Sequence, residues 1–581
     1  PGLYHSSTKS RDTRTGVLKA VLIIQKWYRG YRARLMARLQ YALTVFQSIE
    51  YADEQSQMQL SSFFSFMLEN YTHICEDDPE LVQRLLASQK CIKERQDYVE
   101  LVGVPDSYSG PRLQFPLTFV DIDCLLEAFM QHQVLHAHYV LEVLFETKKV
   151  LKRMANFNHV RTSRYAEITI CGDLHGSLDD LFLIFYKNGL PSESNPYIFN
   201  GDFVDRGNNS MEVLMILFVS FLVYPNNVHL NRGNHEDFMM NLRYGFTKEI
   251  LKTKLNSKIL EEVYTWLPIG TIIDNEILVI HGGISESTDL NLLHGIERNK
   301  MKSVLIPPME GNRDRPIELK ENKTGGPVTT TPEKSKANEP ASEHLLKHEW
   351  EQVITVFSAS NYYEQGSNRG AYLKLCSGMS PRFFRYQATW ETTLKPLYQR
   401  VNIIEISAIR MLKEKIISRK TDLIHAFQLQ DRKSGKLSLG RWAFCMESVL
   451  GLNLPWRSLS SFLVNTDKDG NVSYMSSFQD IRIEKPVKEA QSTIIETLYR
   501  YRSDLEILFN VIDADHSGLI SREEFCATWK LFSSHYSVPI DDSQVDELVK
   551  TMDLNKDGSI DFNEFLKAFY VVHKYEIMKS D

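Results

Sequence analysis

Between residues 167 and 283, four short apolar runs each end in an oxygen or imidazole donor bracketed by glycine: EITICGDLHG, YIFNGDFVDRG, VHLNRGNHE and ILVIHGGIS. No other feature of the chain restricts its fold as much. Ile168, Ile170 and Cys171 suit a buried strand, and Gly172 and Gly176 let the backbone turn where that strand stops. Asp173 and His175 are then displayed at a strand's carboxyl end, the edge where open α/β sheets place their ligands. The second run delivers Asp202, with Asp205 and Arg206 beyond it, the third Asn234 and His235, and the fourth His281. One acid beside one histidine reads as a solvated loop. Four such ends in order read as a site for divalent metal, because carboxylate and imidazole together are ligands such a cation takes.

The chain around these runs is modular. Its 581 residues exceed one ordinary domain. A net charge of −7 is mild over that length and argues against a nucleic-acid binder as a whole. The seven cysteines are odd in number, scattered and never spaced as CxxC, which reads as a reducing, intracellular compartment. No apolar run approaches the roughly 20 residues of a membrane span, and the first residues lack a signal-peptide core. A cytoplasmic location is expected. The chain opens on Pro1, so membrane association through an earlier N-terminus stays open. Residues 17–50 read as one basic amphipathic helix, interrupted at Gly30 and standing outside the main core. Residues 115–400 read as one α/β domain, two helical patterns leading into βα alternation that continues to about residue 300, with an insertion at 303–343 rich in proline, threonine and charge and expected to be disordered.

Beyond residue 400 the pattern is helical, with glycine-centred acidic loops. DADHSGLISREE places Asp513, Asp515, Ser517, Leu519 and Glu524 at the ligand positions of a calcium loop around Gly518. DLNKDGSIDFNE does the same with Asp553, Asn555, Asp557, Ser559 and Glu564 around Gly558. A calcium-binding EF-hand pair is predicted over 495–575. A degenerate pair is predicted over 415–485: NTDKDGNVSYMS keeps Asp467, Asp469 and Gly470 but ends in Ser476, and QDRKSGKLSLGR keeps Gly435 with few acids. At the other end, IQKWYRGYRAR supplies Ile24, Gln25, Arg29, Gly30 and Arg34 of an IQ pattern. Its basic face and its apolar Val21, Ile24, Trp27 and Tyr28 suit a helix gripped by calmodulin; an acidic lipid surface or the chain's own βα domain are other occupants of such a face.

GDLHG, GDFVDRG, RGNHE and HGG, together with FSASNYYE, resemble the signature blocks of the serine/threonine phosphoprotein phosphatases, within the calcineurin-like metallophosphoesterases. With an IQ-type helix before them and calcium loops after, the chain is similar to the EF-hand-bearing, retinal degeneration C type. The resemblance implies an α/β metallophosphoesterase sandwich, an N-terminal basic IQ-type helix and a C-terminal all-α EF-hand domain. It implies two divalent transition metals, manganese or iron and zinc, in addition to calcium. Asp173 and His175 would hold the first metal, Asp202 would bridge both, and Asn234 and His281 would hold the second. His235 would be the general acid, oriented by Asp205; Arg206 would grip phosphate oxygens and Tyr362 line the site. The implied function is calcium-responsive hydrolysis of phosphoserine and phosphothreonine, with phosphoprotein substrates and calmodulin as partners. A nucleotide pyrophosphatase or nuclease of the same superfamily is disfavoured by GDFVDRG, RGNHE and SASNY together.

One stretch departs from the family's pattern. After the insertion the chain runs EHLLKHEWEQVITVFSASNYYEQ. The family places a long segment between the tryptophan of EW and the strand entering FSASNY, carrying a further phosphate-binding arginine and, in an RSHE-like block, a histidine that completes the second metal. Neither block is present. The junction at Gln352-Val353 reads as the two ends of an omitted piece, as an alternative transcript or an incorrect gene model would produce. His344 and His348 lie nearby but precede the missing block, and they read as solvated helix-end histidines. The alternative function is therefore a catalytically impaired calcium- and calmodulin-binding protein.

Overall fold

The computed structural model describes residues 5–55, 102–163, 167–252, 257–284, 288–301, 303, 346–347, 352–378, 380–389, 396–431, 434–478 and 481–483, and three short strands nearer the C-terminus. Helix α1 (His5–Gln55) runs without a break. A glycine in a helix interior costs only about 1 kcal/mol relative to alanine. The Lys, Arg, Leu, Ala and Gln that crowd around Gly30 are strong helix formers, so the expected interruption does not occur. Nor does α1 stand outside the core. Ala42, Val45, Phe46 and Ile49 recur at helical spacing and are buried in the apolar centre of the C-terminal lobe.

Helices α2 (Phe119–Met130) and α3 (Ala137–Leu151) lead into the sheets, α2 opening on a capping box between Thr118 and Asp121. Strands β1 (Phe157–Val160), β2 (Ile168–Cys171), β3 (Tyr197–Phe199) and β4 (Val228–Leu230) follow, with α4 (Leu178–Asn188) and α5 (Ser210–Val223) joining β2 to β3 and β3 to β4. After β4 come α6 (Phe238–Tyr244), α7 (Phe246–Lys252) and α8 (Ser257–Thr265), then β5 (Gly270–Ile273), β6 (Ile277–Ile280) and α9 (Leu290–Gly295). Strands β7 (Leu346–Lys347) and β8 (Gln352–Val353) pair with each other, and β9 (Gly370–Leu375) and β10 (Arg382–Tyr386) complete the domain.

Two sheets face each other. The larger has the order β10-β9-β2-β3-β4, with β2, β3 and β4 parallel; the smaller has the order β1-β5-β6. Side chains alternate along the strands as the pleat requires. Ile168, Ile170, Ile198, Leu373 and Leu375 meet Ile273 and Val279 of the smaller sheet. Cys171, Tyr197, Phe199 and Tyr372 point the other way, into a core built with α2 to α5 and α8. Because β2, β3 and β4 run parallel, their carboxyl ends share one edge. In the smaller sheet β1 and β6 are the outer strands, and on β6 Ile277 and, just past its end, Ile284 are exposed.

The lobe contains α10 (Leu397–Ile417), α11 (Lys420–Gln430), β11 (Lys436–Ser438), α12 (Leu439–Leu450), α13 (Trp456–Leu463), β12 (Asn465–Thr466) and β13 (Asn471–Ser473), gathered around Phe427, Trp442 and Trp456. Leu437 pairs with Val472, the same position in the two degenerate loops. Nearer the C-terminus, β14 (Ile481–Ile483) is followed by β15 (Leu519–Ser521), β16 (Ser559–Asp561) and β17 (Val571–His573). Ile520 of β15 faces Ile560 of β16, again the same position of two loops. Leu519 and Ser559 lie on those strands; the other predicted calcium ligands, His344, His348 and all of the 303–343 insertion but Ser303 lie outside the described residues. No described helix is long and apolar enough to cross a membrane.

Candidate metal centre

The ends of β2, β3 and β6 and the loop after β4 bring the predicted ligands together. Four residues of the site are held by backbone that L-residues seldom adopt: His175, Asp202, Asp205 and Arg206 have φ of 46°, 52°, 70° and 66°. Such conformations persist only where surrounding contacts impose them. Here the imposition is close packing of turn on turn. A Cβ on Gly233 would lie 2.3 Å from an Asp202 carboxylate oxygen, and one on Gly201 would meet Gly233 nitrogen at 2.5 Å.

His175 is 4% exposed, and its Nδ1 lies 3.1 Å from the Val204 carbonyl. A proton held there leaves Nε2 as the free lone pair, 3.9 Å from Asp173 and 3.8 Å from Asp202. Burial, helped by the neighbouring His235, pushes His175 down to about 3, so it is neutral and ready to ligate. His281 is arranged the same way: Nδ1 is 2.8 Å from the Asn200 carbonyl and Nε2 is 3.3 Å from Asp202. One amide atom of Asn234 lies 2.8 Å from His281 Nε2 and 3.2 and 3.1 Å from the two Asp202 oxygens. Turned oxygen inward, that amide adds a ligand; turned nitrogen inward, it bridges its neighbours by hydrogen bonds.

The charges have the same sense. Burial and the charge of Asp202 push Asp173 up to about 6. Burial opposes protonation of His281, but the hydrogen bond and charge of Asp202 outweigh it and push the ring up to about 10. Despite its burial, the Asp202 carboxyl is in turn held below the usual carboxylate range by the hydrogen bond and charge of His281. A proton on that imidazole thus answers the charge of Asp202, and a divalent cation bound by the same groups would take the place of that proton. The donor set thus fits the metals that the sequence implies.

His235 is oriented rather than free. Its Nδ1 is 2.8 Å from Asp205, its backbone N–H donates to Asp202 at 2.9 Å, and its ring lies edge-on to His175 at 4.8 Å. Among the described residues, the ligand atoms of His175, Asp202 and His235 all come within 4.8 Å of one another. Asp205, fully buried, also accepts from the Asn241 amide and the Phe246 N–H. Burial disfavours the charged ring, yet the Asp205 hydrogen bond and the Asp202 charge raise His235 above its ordinary value. Arg206 is stacked between the rings of Tyr244 and Tyr362, at 4.5 and 5.1 Å. Tyr362 also packs on His175, 5.1 Å between rings. Beside them a cavity of about 220 Å³ is lined by His175, Arg206, Asn209, Ser360, Asn361 and Tyr362, among others.

Comparison with known proteins reads the same residues. Residues 166–351 match the calcineurin-like phosphoesterase family, 502–570 an EF-hand domain pair, 18–35 the IQ calmodulin-binding motif and 86–158 the PPP5 TPR repeat region. The human "Serine/threonine-protein phosphatase with EF-hands 1" is 65% identical over 650 aligned positions, covering 100% of this chain and 99% of that one. This chain belongs to the serine/threonine-protein phosphatases with EF-hands. The human phosphatase with EF-hands 2 is 39% identical over 96% of this chain and 94% of its own, and rdgC of Drosophila melanogaster 36% over 95% and 89%. Against 581 residues here, the 650-position alignment leaves at least 69 positions of the first relative without a counterpart.

Within this phosphatase fold, several supporting residues escaped the sequence reading. Glu236 accepts the backbone N–H groups of Asp202, Phe203 and Gly233, each at 2.8 Å. Asp180 accepts from Ser177 Oγ, Ser360 N–H and Ser360 Oγ, tying the GDLHG turn to the SASNY loop. The Ser177/Asp180 spacing is a helix-start signal legible in sequence; the reach to Ser360 is not. Most unexpected is Glu50 of α1, which lies 2.7 Å from Arg206. Of the IQ residues, Ile24, Gln25, Arg29 and Arg34 are exposed and Gly30 half-buried, and neighbouring Trp27 is exposed as well.

Proposed function

We propose that the protein hydrolyses phosphoserine and phosphothreonine in proteins at the edge formed by the GDLHG, GDFVDRG, RGNHE and HGG turns. The observation that carries this is the convergence of Asp173, His175, Asp202, Asn234 and His281 with an oriented His235–Asp205 pair and a stacked arginine. Asp173 and His175 would hold one metal, Asp202 both, and Asn234 and His281 the other; manganese, iron or zinc would suit these ligands. When bound, the metals supply positive charge that polarises the phosphoryl group and acidifies the attacking water. The chain's own residues do the rest. Arg206 grips phosphate oxygens through its planar fork, while His235, held in one orientation by Asp205, carries a proton to the leaving serine or threonine oxygen. Tyr362 walls the site beside His175. Control by calcium comes through the EF-hands, and the exposed apolar and basic face of α1 is where calmodulin would dock.

A second reading is favoured by two observations. At least 69 aligned positions are missing relative to a 65% identical phosphatase. Asn234, one of the ligands the second metal would keep, is exposed at the edge of the site, and β6 is an outer strand with Ile277 exposed. If the omission falls at Gln352-Val353, the second metal lacks an imidazole and the phosphate an arginine. The chain would then act mainly as a calcium- and calmodulin-binding protein. The test compares this chain, purified with manganese, with one in which the RSHE-containing segment is restored. Lower phosphopeptide turnover and closer to one bound transition metal than two are expected; equal turnover with two metals would return the chain to full enzyme status.

A further inference from the structure

Arg206 is already occupied. Its Nη2 lies 2.7 Å from Glu50 Oε1, the Tyr362 hydroxyl donates to the same oxygen at 2.8 Å, and the Tyr363 hydroxyl donates to Oε2. We propose that Glu50 is a built-in occupant of the phosphate subsite, a carboxylate that competes with the substrate's phosphoryl oxygens for Arg206. This inference rests on Arg206 being the phosphate-gripping arginine of the proposed reaction.

The chemistry of the replacement is direct. A guanidinium fork recognises carboxylate and phosphate by the same charge-assisted hydrogen bonds, so one anion excludes the other. Both side chains are about three-quarters buried, with 24% and 22% exposure, so salt screens the pair poorly. Its placement is built into the helix. Phe46, one turn before Glu50, stacks on Tyr363 with ring centroids 4.7 Å apart and planes within 6°. Farther along, Arg38 pairs with Glu405 and Asn402, and Lys415 with Asp53, fixing α1 against α10 on either side of Glu50. The carboxylate therefore arrives on a helix packed into the lobe and reaches across to the catalytic domain. Access to Arg206 requires α1 to shift.

The full chain, loaded with manganese, can be titrated with inorganic phosphate by calorimetry, which reads the subsite without requiring turnover. A subsite that is open only part of the time binds with its affinity reduced by that fraction. Glu50→Gln is expected to bind phosphate about tenfold more tightly than the unaltered chain. Tyr363→Phe, which loosens the carboxylate without removing it, should shift binding the same way by less, and it carries the test if Glu50→Gln does not fold. Unchanged or weaker phosphate binding in both variants, with Arg206→Ala still abolishing it, would make Glu50 a structural ion pair and overturn the proposal while leaving the site's reading intact. If Arg206→Ala leaves phosphate binding untouched, the reading of the site falls, and this inference falls with it.

Discussion

At the sheet edge, the carboxylates of Asp173 and Asp202 face imidazoles and each other; in the lobe, Asp431 and Asp467 face their own backbone. Asp431 accepts from the Ser434 N–H and hydroxyl, the Gly435 N–H and the Tyr474 hydroxyl. Asp467 accepts from the Asp469 and Asn471 N–H groups and from Lys436, whose ammonium stands 3.1 Å away. All four acids sit beside glycine turns, yet their charges are met differently. Burial and a like charge push Asp173 up to about 6, whereas hydrogen bonds from Ser434 hold Asp431 down at about 2. An acid that its own loop has satisfied offers little to a cation. One left among other acceptors is held in reserve for one.

The sharpest way to break this contrast is Asp202→Ala, which removes the carboxylate facing both His175 and His281. Because losses of mere outer partners cost about 10 to 100-fold in metal affinity or activity, removing a direct ligand should cost more. Elemental analysis should find transition metal falling toward zero and phosphopeptide hydrolysis lost. Full metal content in this variant would show that the sheet-edge acids are not reserved for cations. Glu236→Gln should act less strongly. A neutral amide keeps one acceptor for the Phe203 N–H but turns its NH₂ toward the Asp202 and Gly233 N–H groups, loosening the turn that aims Asp202. Turnover should drop about tenfold, within the range of such outer partners, with weaker metal retention in a chelator titration. An unchanged chelator profile would limit Glu236 to packing.

The smallest effect is expected in the lobe. Because the folded state depresses the Asp431 carboxyl below its unfolded value of about 3.9, its contribution is present above that pH and disappears as pH falls through about 2. Fluorescence of the buried Trp442 and Trp456 should report progressive loosening of the lobe between about pH 4 and 2. Asp431→Asn should weaken the lobe slightly at neutral pH and flatten that acid response. An identical acid response in the variant would mean that Asp431 does not bear the charge of this loop.

The sheet-edge residues were legible because their signal is local. Apolar runs predict strands, glycines predict their turns, and parallel order places the turns on one edge. The same locality explains what could not be read. Lys436 and Asp467 belong to different loops, and only the pairing of Leu437 with Val472 brings them together. The continuity of α1 through Gly30 depended on weighing one weak position against many strong ones. Helical spacing shows that Phe46 and Glu50 share a face, but not that this face meets Tyr362 and Tyr363, more than three hundred residues away in the chain.

A single unbroken α1 acquires mechanical meaning once it is treated as a rigid rod pivoting where it is gripped. With a rise of about 1.5 Å per residue, Glu50 lies about 7 Å from buried Val45, while Trp27 lies about 27 Å from it on the other side. Tilting such a rod moves the Trp27 end nearly four times as far as the Glu50 end. Lengthening the 2.7 Å contact with Arg206 past the roughly 3.5 Å limit of a hydrogen bond then takes some 3 Å at Trp27. The helix is thus a reducing lever. Small thermal swings of its exposed arm leave the latch closed, and only a load large enough to carry that arm several ångströms will lift it.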